Sequence, residues 1–138
     1  MTKPKAGVAQ RQSKGSVTSR SGVRSSPPAP VSESKIVADI RLSLGARTDC
    51  IVWRNSTGVA KTRTGHTVRF GLCVGSSDLI AIVKPSGRMV VLEAKTPIGR
   101  ATKEQIAFIE MVRAAGGHGA IVRSVEEANR VIDEAISR

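Results

Sequence analysis

Asp78, Glu93 and Lys95 are the residues of this chain whose types and spacing could do chemistry together. Residues 79–83 (LIAIV) and 89–92 (MVVL) are apolar runs rich in β-branched side chains, and Lys84-Pro85-Ser86-Gly87-Arg88 between them has the composition of a turn. The spacing predicts an antiparallel hairpin. A turn centred on Pro85-Ser86 sets position 78 opposite position 93; a turn one residue longer sets it opposite 94. In either register Asp78 and Glu93 are neighbours across the strands. Residues two apart on a strand share a face, so Lys95 stands beside Glu93 while Ala94 points away. Two such carboxylates suit Mg²⁺ or Mn²⁺, hard cations that take oxygen ligands. A lysine beside them could orient the attacking water or hold a phosphate as a point charge. Together they would serve metal-assisted cleavage of a phosphodiester. The plain alternative is that Asp78 ends a turn and that Glu93 and Lys95 form an exposed ion pair. The flanks weigh against it: MVVLEA is apolar on both faces, as in a buried strand, where a carboxylate must be neutralised, paired or bound to a metal.

Other elements must position this hairpin. Ser32 is placed to cap a helix running to Leu44 and closed by Gly45, with Glu33, Val37, Ile40 and Leu44 on one face. Glu33 then sits at the inward edge of the apolar stripe, where a carboxylate also favours the helix dipole. Cys50 to Trp53 reads as a short strand. Residues 54–69 carry Arg54, Asn55, Lys61, Arg63, His66 and Arg69 among Thr, Ser and Gly. Small polar residues interleaved with cations allow close approach to a phosphate backbone, so this stretch is a candidate DNA-contacting loop or hairpin, against the alternative of a solvated charged loop. His66 stays open between an ordinary loop residue and a proton carrier. Thr102 with Gln105 has capping-box spacing before a helix from Lys103 to about Ala115, with Phe108, Met111, Val112 and Ala115 facing the core and Gly116-Gly117 stopping it. Gly119 to Arg123 reads as a parallel strand reached by that crossover helix. Ser124 and Glu127 repeat the capping spacing before a last helix with Ala128, Val131, Ile132 and Ala135 on one face.

Composition bounds the rest. The 138 residues make one small domain, of net charge +11. Residues 1–32 carry six Lys/Arg and no acid, and residues 33–138 carry sixteen bases against eleven acids, which favours a polyanionic partner throughout. Residues 1–31, rich in Lys, Arg, Ser, Gly and Pro, lack the apolar side chains to offset chain entropy. They read as a disordered basic arm, either a plain solvated tail or a non-specific attractor of phosphate, ahead of a folded domain at 32–138. Trp53, Phe70 and Phe108 are the only aromatics, so base stacking is a poor candidate for recognition. Cys50 and Cys73 sit in apolar surroundings without CxxC or His spacing, as buried reduced thiols rather than a disulfide or zinc site. Neither a membrane-length apolar run nor a signal-type apolar segment is seen, so a soluble, intracellular, cytoplasmic protein is expected. There is no internal repeat and no glycine-rich phosphate loop, hence no expected nucleotide cofactor.

The string Arg54-Asn55, Arg69-Phe70-Gly71, Gly75-Ser76-Ser77-Asp78-Leu79-Ile80, Gly87, Glu93-Ala94-Lys95-Thr96, Gly99, Thr102, Gln105, Phe108, Gly116-Gly117 and Val122-Arg123-Ser124 resembles the small viral-type VRR-Nuc domain, a branch of the PD-(D/E)xK nucleases. The resemblance runs from about Glu33 to about Ser124, with Ser77 standing where the superfamily name expects proline. It implies a restriction-endonuclease-like α/β core, a small mixed sheet flanked by helices in the order α-β-β-β-α-β-α. It also implies Mg²⁺- or Mn²⁺-dependent hydrolysis of DNA. On it, Asp78, Glu93 and the backbone carbonyl of Ala94 would hold the metal, with Glu33 a further candidate ligand. Lys95 would position the water and stabilise the phosphate. Gln105 would reach the lysine, the water or the phosphate, beside its purely structural reading as a helix cap. Stand-alone members resemble junction-resolving enzymes, so branched DNA, above all the four-way (Holliday) junction, is the expected substrate and a homodimer the expected active form. A nicking or flap endonuclease and an inactive DNA-binding module are the alternatives.

Overall fold

The computed structural model describes residues 29–138. The expected basic arm thus lies outside the described residues up to residue 28. Helix α1 (Glu33–Gly45) begins where Ser32 accepts a hydrogen bond from the Lys35 amide through its side chain, as its type predicts. Strand β1 (Cys50–Arg54) follows, then β2 (Gly58–Lys61), β3 (Thr67–Phe70), β4 (Leu79–Val83), β5 (Arg88–Ala94), α2 (Lys103–Ala114), β6 (His118–Val122) and α3 (Val125–Ser137). The main sheet runs in the order β1-β4-β5-β6, with β6 parallel to β5 and the other pairs antiparallel. This is the expected small mixed sheet. The segment left open between loop and hairpin is a hairpin, and β2 and β3 form a separate two-stranded sheet inserted between β1 and β4.

Both faces of β4 and β5 are covered, which explains why their sequences are apolar without alternation. On one face Leu79, Ala81, Val83, Val90, Leu92 and Val122 pack on Ile36, Val37, Ile40 and Leu44 of α1 and on Ala128, Val131, Ile132 and Ala135 of α3. On the other, Ile80 and Val91 pack on Phe108, Ile109 and Val112 of α2. The β4–β5 register runs from Val83 opposite Arg88 to Leu79 opposite Leu92. The turn is therefore Lys84 to Gly87, centred on Pro85-Ser86, and one further step along the ladder sets Asp78 opposite Glu93. Gly87 takes φ +71°, a left-handed conformation that L side chains rarely adopt. Away from this face, Arg47 donates to both carboxylate oxygens of Asp49, at 2.8 Å each, and to Asp133 at 2.6 Å, tying the α1–β1 connection to α3.

Three expectations need correction. Met111 and Ala115 are exposed, and Ile109 takes the inward position, because α2 meets the sheet along the Phe108–Ile109–Val112 stripe and ends at Ala114. Ile36 joins the expected buried face of α1. Cys50 is buried and free, whereas Cys73, also free, is exposed, because the connection from β3 to β4 runs over the surface at Leu72 to Val74. None of the described helices is long and apolar enough to cross a membrane. Ile109→Ala should cost about 2–5 kcal/mol in chemical denaturation, whereas Met111→Ala should stay within about 0.5 kcal/mol; equal costs would place α2 in a different rotation on the sheet.

Candidate active site

Glu93 is the interior carboxylate of the sheet, 1% exposed at the C-terminal end of β5. Along β5 the odd positions face α2, so its side chain meets that helix near the N-terminus. There Gln105 bridges two roles. Its Oε1 accepts from the Thr102 amide at 2.9 Å, completing a capping box, while its Nε2 donates to Glu93 Oε1. The cap forms as expected, and the other end of the same amide meets Glu93 rather than Lys95. Lys95, 7% exposed, places Nζ 2.9 Å from the same Glu93 oxygen and 3.4 Å from Glu33 Oε2, reaching from the end of the strand to the first turn of α1. Glu93 Oε2 is buried and has no hydrogen-bond partner. One oxygen of this carboxylate is thus doubly held and the other is left open.

Asp78 immediately precedes β4, half-buried, and its Oδ2 accepts from the Ala94 amide at 3.0 Å. The loop that delivers it is pinned from behind. Asn55 donates its side-chain amide to Ser76 Oγ at 2.9 Å and to the Ser77 carbonyl at 3.0 Å, and its backbone amide bonds the Asp78 carbonyl at 2.8 Å. Ser76 Oγ in turn donates to the Cys73 carbonyl. Gly75 passes so close to α2 that a Cβ there would lie 2.5 Å from the Glu104 backbone, at φ +83°. Ser77 is fully buried.

Burial holds the Glu93 carboxyl above the ordinary range. The Lys95 hydrogen bond opposes this shift and the nearby Asp78 charge reinforces it. Burial disfavours the Lys95 charge too, but Glu93 and then Glu33 outweigh it and the ammonium is stabilised. Among the described residues no three His, Cys, Asp or Glu side chains converge as a metal-ligand set. Asp78 and Glu93 are adjacent, whereas Glu33 is placed on Lys95. The open Glu93 oxygen, beside a second carboxylate, is an oxygen-donor arrangement that fits a hard divalent cation.

Of the expected DNA-contacting residues, Arg54 and Asn55 border the Asp78 loop, and the others lie on the β2–β3 hairpin. Arg54 ends β1, exposed, next to Asn55 and the Asp78 loop. Asn55 is half-buried and serves the loop as described. Lys61 and Arg69 lie on one face of the β2–β3 hairpin, and Arg63 and His66 lie in its exposed turn, where the His66 amide bonds Thr62 Oγ1. Sequence reasoning missed the pinning role of Asn55 and a second anchor, Arg123, which donates to the Gly99 carbonyl at 3.0 Å in the connection after Lys95. Both sit in the recognised motif string, but neither spacing nor periodicity reveals a long-range bond to a backbone carbonyl.

Fold and cluster define the class: a small α/β domain with an acidic pair and a lysine gathered at one end of a mixed sheet. The VRR-NUC domain family model matches residues 59–126 of the chain. The match takes in the hairpin, Asp78, Glu93, Lys95 and Gln105, and implies a nuclease-type function with DNA as substrate. No curated protein matches the chain.

A carboxyl raised in the folded state contributes stability that is fully present below its unfolded value and lost as pH rises through its folded one. Denaturant titrations in EDTA should therefore show the stability of the natural protein, relative to Glu93→Gln, falling as pH rises above the ordinary value of 4.5 and then levelling. A relative stability that climbs with pH would mean the carboxylate is net stabilised as the anion.

Proposed function

We propose that this chain is a divalent-metal-dependent, structure-specific endonuclease that hydrolyses phosphodiester bonds in branched DNA, the four-way junction foremost. The observation that carries this reading is the Glu93 carboxylate, buried at 1% exposure with Oε2 unpartnered. An unpaired oxygen in that position costs free energy unless a cation completes it. Asp78 and Glu93, with the Ala94 carbonyl, would hold Mg²⁺ or Mn²⁺. Such an ion, when bound, supplies Lewis-acid polarisation of the phosphate and a nucleophilic water at neutral pH.

The protein's own residues do the rest. Lys95 is kept protonated by Glu93 and Glu33 and presents fixed positive charge where charge develops on the phosphate. Gln105 holds Glu93 Oε1 so that the other oxygen stays aimed away from Lys95. Asn55 keeps the Asp78 loop in register with the Ala94 amide. Arg54, Lys61, Arg63 and Arg69 supply phosphate contacts, with the basic residues of the arm adding sequence-independent attraction.

One cluster per chain cuts one strand, and paired cuts across a junction call for two clusters in two-fold relation, which a homodimer supplies with one interface. The hairpin supports this: opposite its Lys61–Arg69 face it carries Val68 and Phe70, 46% and 50% exposed, with no covering element among the described residues.

On a panel of linear, flap, fork and four-way substrates, cleavage should be greatest on the four-way junction, vanish in EDTA and return with Mg²⁺ or Mn²⁺. Asp78→Ala, Glu93→Ala and Lys95→Ala should each lower the rate by at least about 10²–10⁴-fold while remaining folded. Light scattering should give twice the chain mass. Undiminished cutting in EDTA, or near-normal turnover by any of the three variants, would sink the site assignment; a monomer that nicks one strand at a time would move the substrate to flaps or single nicks.

A further inference from the structure

Ile98 is 92% exposed, more than any other large hydrophobic residue among those described. Nothing in the packing of the domain calls for an apolar side chain there. It lies in the connection between β5 and α2, three positions after Lys95, and that connection is built to hold it still. The Gly99 amide bonds the Thr96 carbonyl at 3.0 Å, closing a four-residue turn with Pro97 at its second position and Ile98 at its third. Arg123 donates to the Gly99 carbonyl at 3.0 Å and anchors the far side of the turn to β6. Gly99 packs so closely on Glu33 that an added Cβ would lie 3.1 Å from Glu33 Oε1. The other oxygen of that carboxylate is the one 3.4 Å from Lys95 Nζ. The exposed tip is therefore braced against the same carboxylate that steadies the lysine.

Its reach is set by the chain. Three residues separate Cα atoms by at most about 11 Å, and one strand of DNA advances about 3.4 Å per nucleotide. A base within about three nucleotides of a phosphate held at Lys95 is therefore within reach of Ile98. Arg100 and Lys103, both exposed, flank the tip with the charge needed to keep a backbone close. Apolar side chains so presented unstack base steps by insertion, and the unstacking costs least where pairing is already broken. The aromatic residues that could do this by stacking are few in this chain.

We propose that Ile98, at the tip of the Thr96–Gly99 turn, is a wedge that packs on an exposed base face beside the scissile phosphate and makes the site select DNA whose stack is already open. The proposal rests on the reading of Asp78, Glu93 and Lys95 as a DNA-cleaving cluster, and it names what that cluster discriminates by.

The test uses the full chain in EDTA, so that no strand is cut, with 2-aminopurine placed one to three nucleotides from the junction branch point. Binding of the natural protein should raise the fluorescence as the base unstacks. Ile98→Ala should lose most of that rise and Ile98→Leu should keep it. With Mg²⁺, Ile98→Ala should also narrow the rate preference for junction or mismatched DNA over continuous duplex on the order of tenfold, leaving the Mg²⁺ requirement unchanged. A fluorescence rise and a preference both unaltered in Ile98→Ala overturn the wedge. Failure of the natural protein to cut any DNA overturns the underlying cleavage reading instead, and the EDTA fluorescence series still decides the wedge.

Discussion

A carboxylate in the dry interior of a sheet is the constraint on which the rest of this structure depends. Glu93 lies on a strand covered on both faces, where an isolated anion would be strongly disfavoured. Its surroundings are the response. Lys95 comes from the same strand two residues on, Gln105 from the first turn of α2, and Asp78 from the end of the neighbouring strand. Three elements converge on one carboxyl group, and each is fixed by a separate local device: the ladder of β4 and β5, the capping box of α2, and the Asn55 clamp on the Asp78 loop. Yet the set is incomplete. Lys95 and Gln105 both serve Oε1, the Asp78 charge works against the Glu93 anion, and Oε2 has no partner. A divalent cation, as proposed, would satisfy the oxygen and reverse the repulsion together.

The folding logic and the chemical logic therefore meet in the same residues. A buried charge pair is poor evidence of stability, because desolvation offsets much of its Coulomb gain. The domain gains its stability instead from the two apolar layers, with Ile40, Leu44, Leu92 and Ile132 wholly buried on the side of α1 and α3. The layers leave the sheet's end free to carry a costly group. The β2–β3 hairpin is the opposite case. Its residues are almost all exposed, its partners are mainly each other, and two strands alone are marginally stable in water.

Much of this was legible in the sequence where a local rule was sufficient. Turn composition at Lys84–Gly87 left two registers, both of which bring Asp78 beside Glu93, and Ser32, Thr102 and Ser124 cap their helices as their types predict. The VRR-Nuc resemblance named the right domain. Legibility ended where a position depends on which neighbour is present. Met111 and Ile109 are both apolar and lie two positions apart, so periodicity alone did not decide which one α2 turns toward the sheet. Cys73 looks like a core residue in an apolar string, but Leu72 to Val74 cross the surface. Glu33 meets Lys95 across 62 positions, a tertiary contact that no local rule gives. Gln105 shows a different limit: its cap was legible from spacing, whereas the bond from the other end of its amide to Glu93 was not.

The central claim is that the open Glu93 oxygen and Asp78 hold a divalent cation. The direct measurement is the thermal unfolding midpoint of the natural protein and of Glu93→Gln, each with EDTA and with increasing Mn²⁺, in the absence of DNA. An ion that binds the folded state alone stabilises it by about 2.7 kcal/mol at one hundred times its dissociation constant. The account predicts a saturable rise in midpoint for the natural protein and none for Glu93→Gln. Equal responses in the two proteins, or no response in the natural one at any Mn²⁺ concentration, would contradict it.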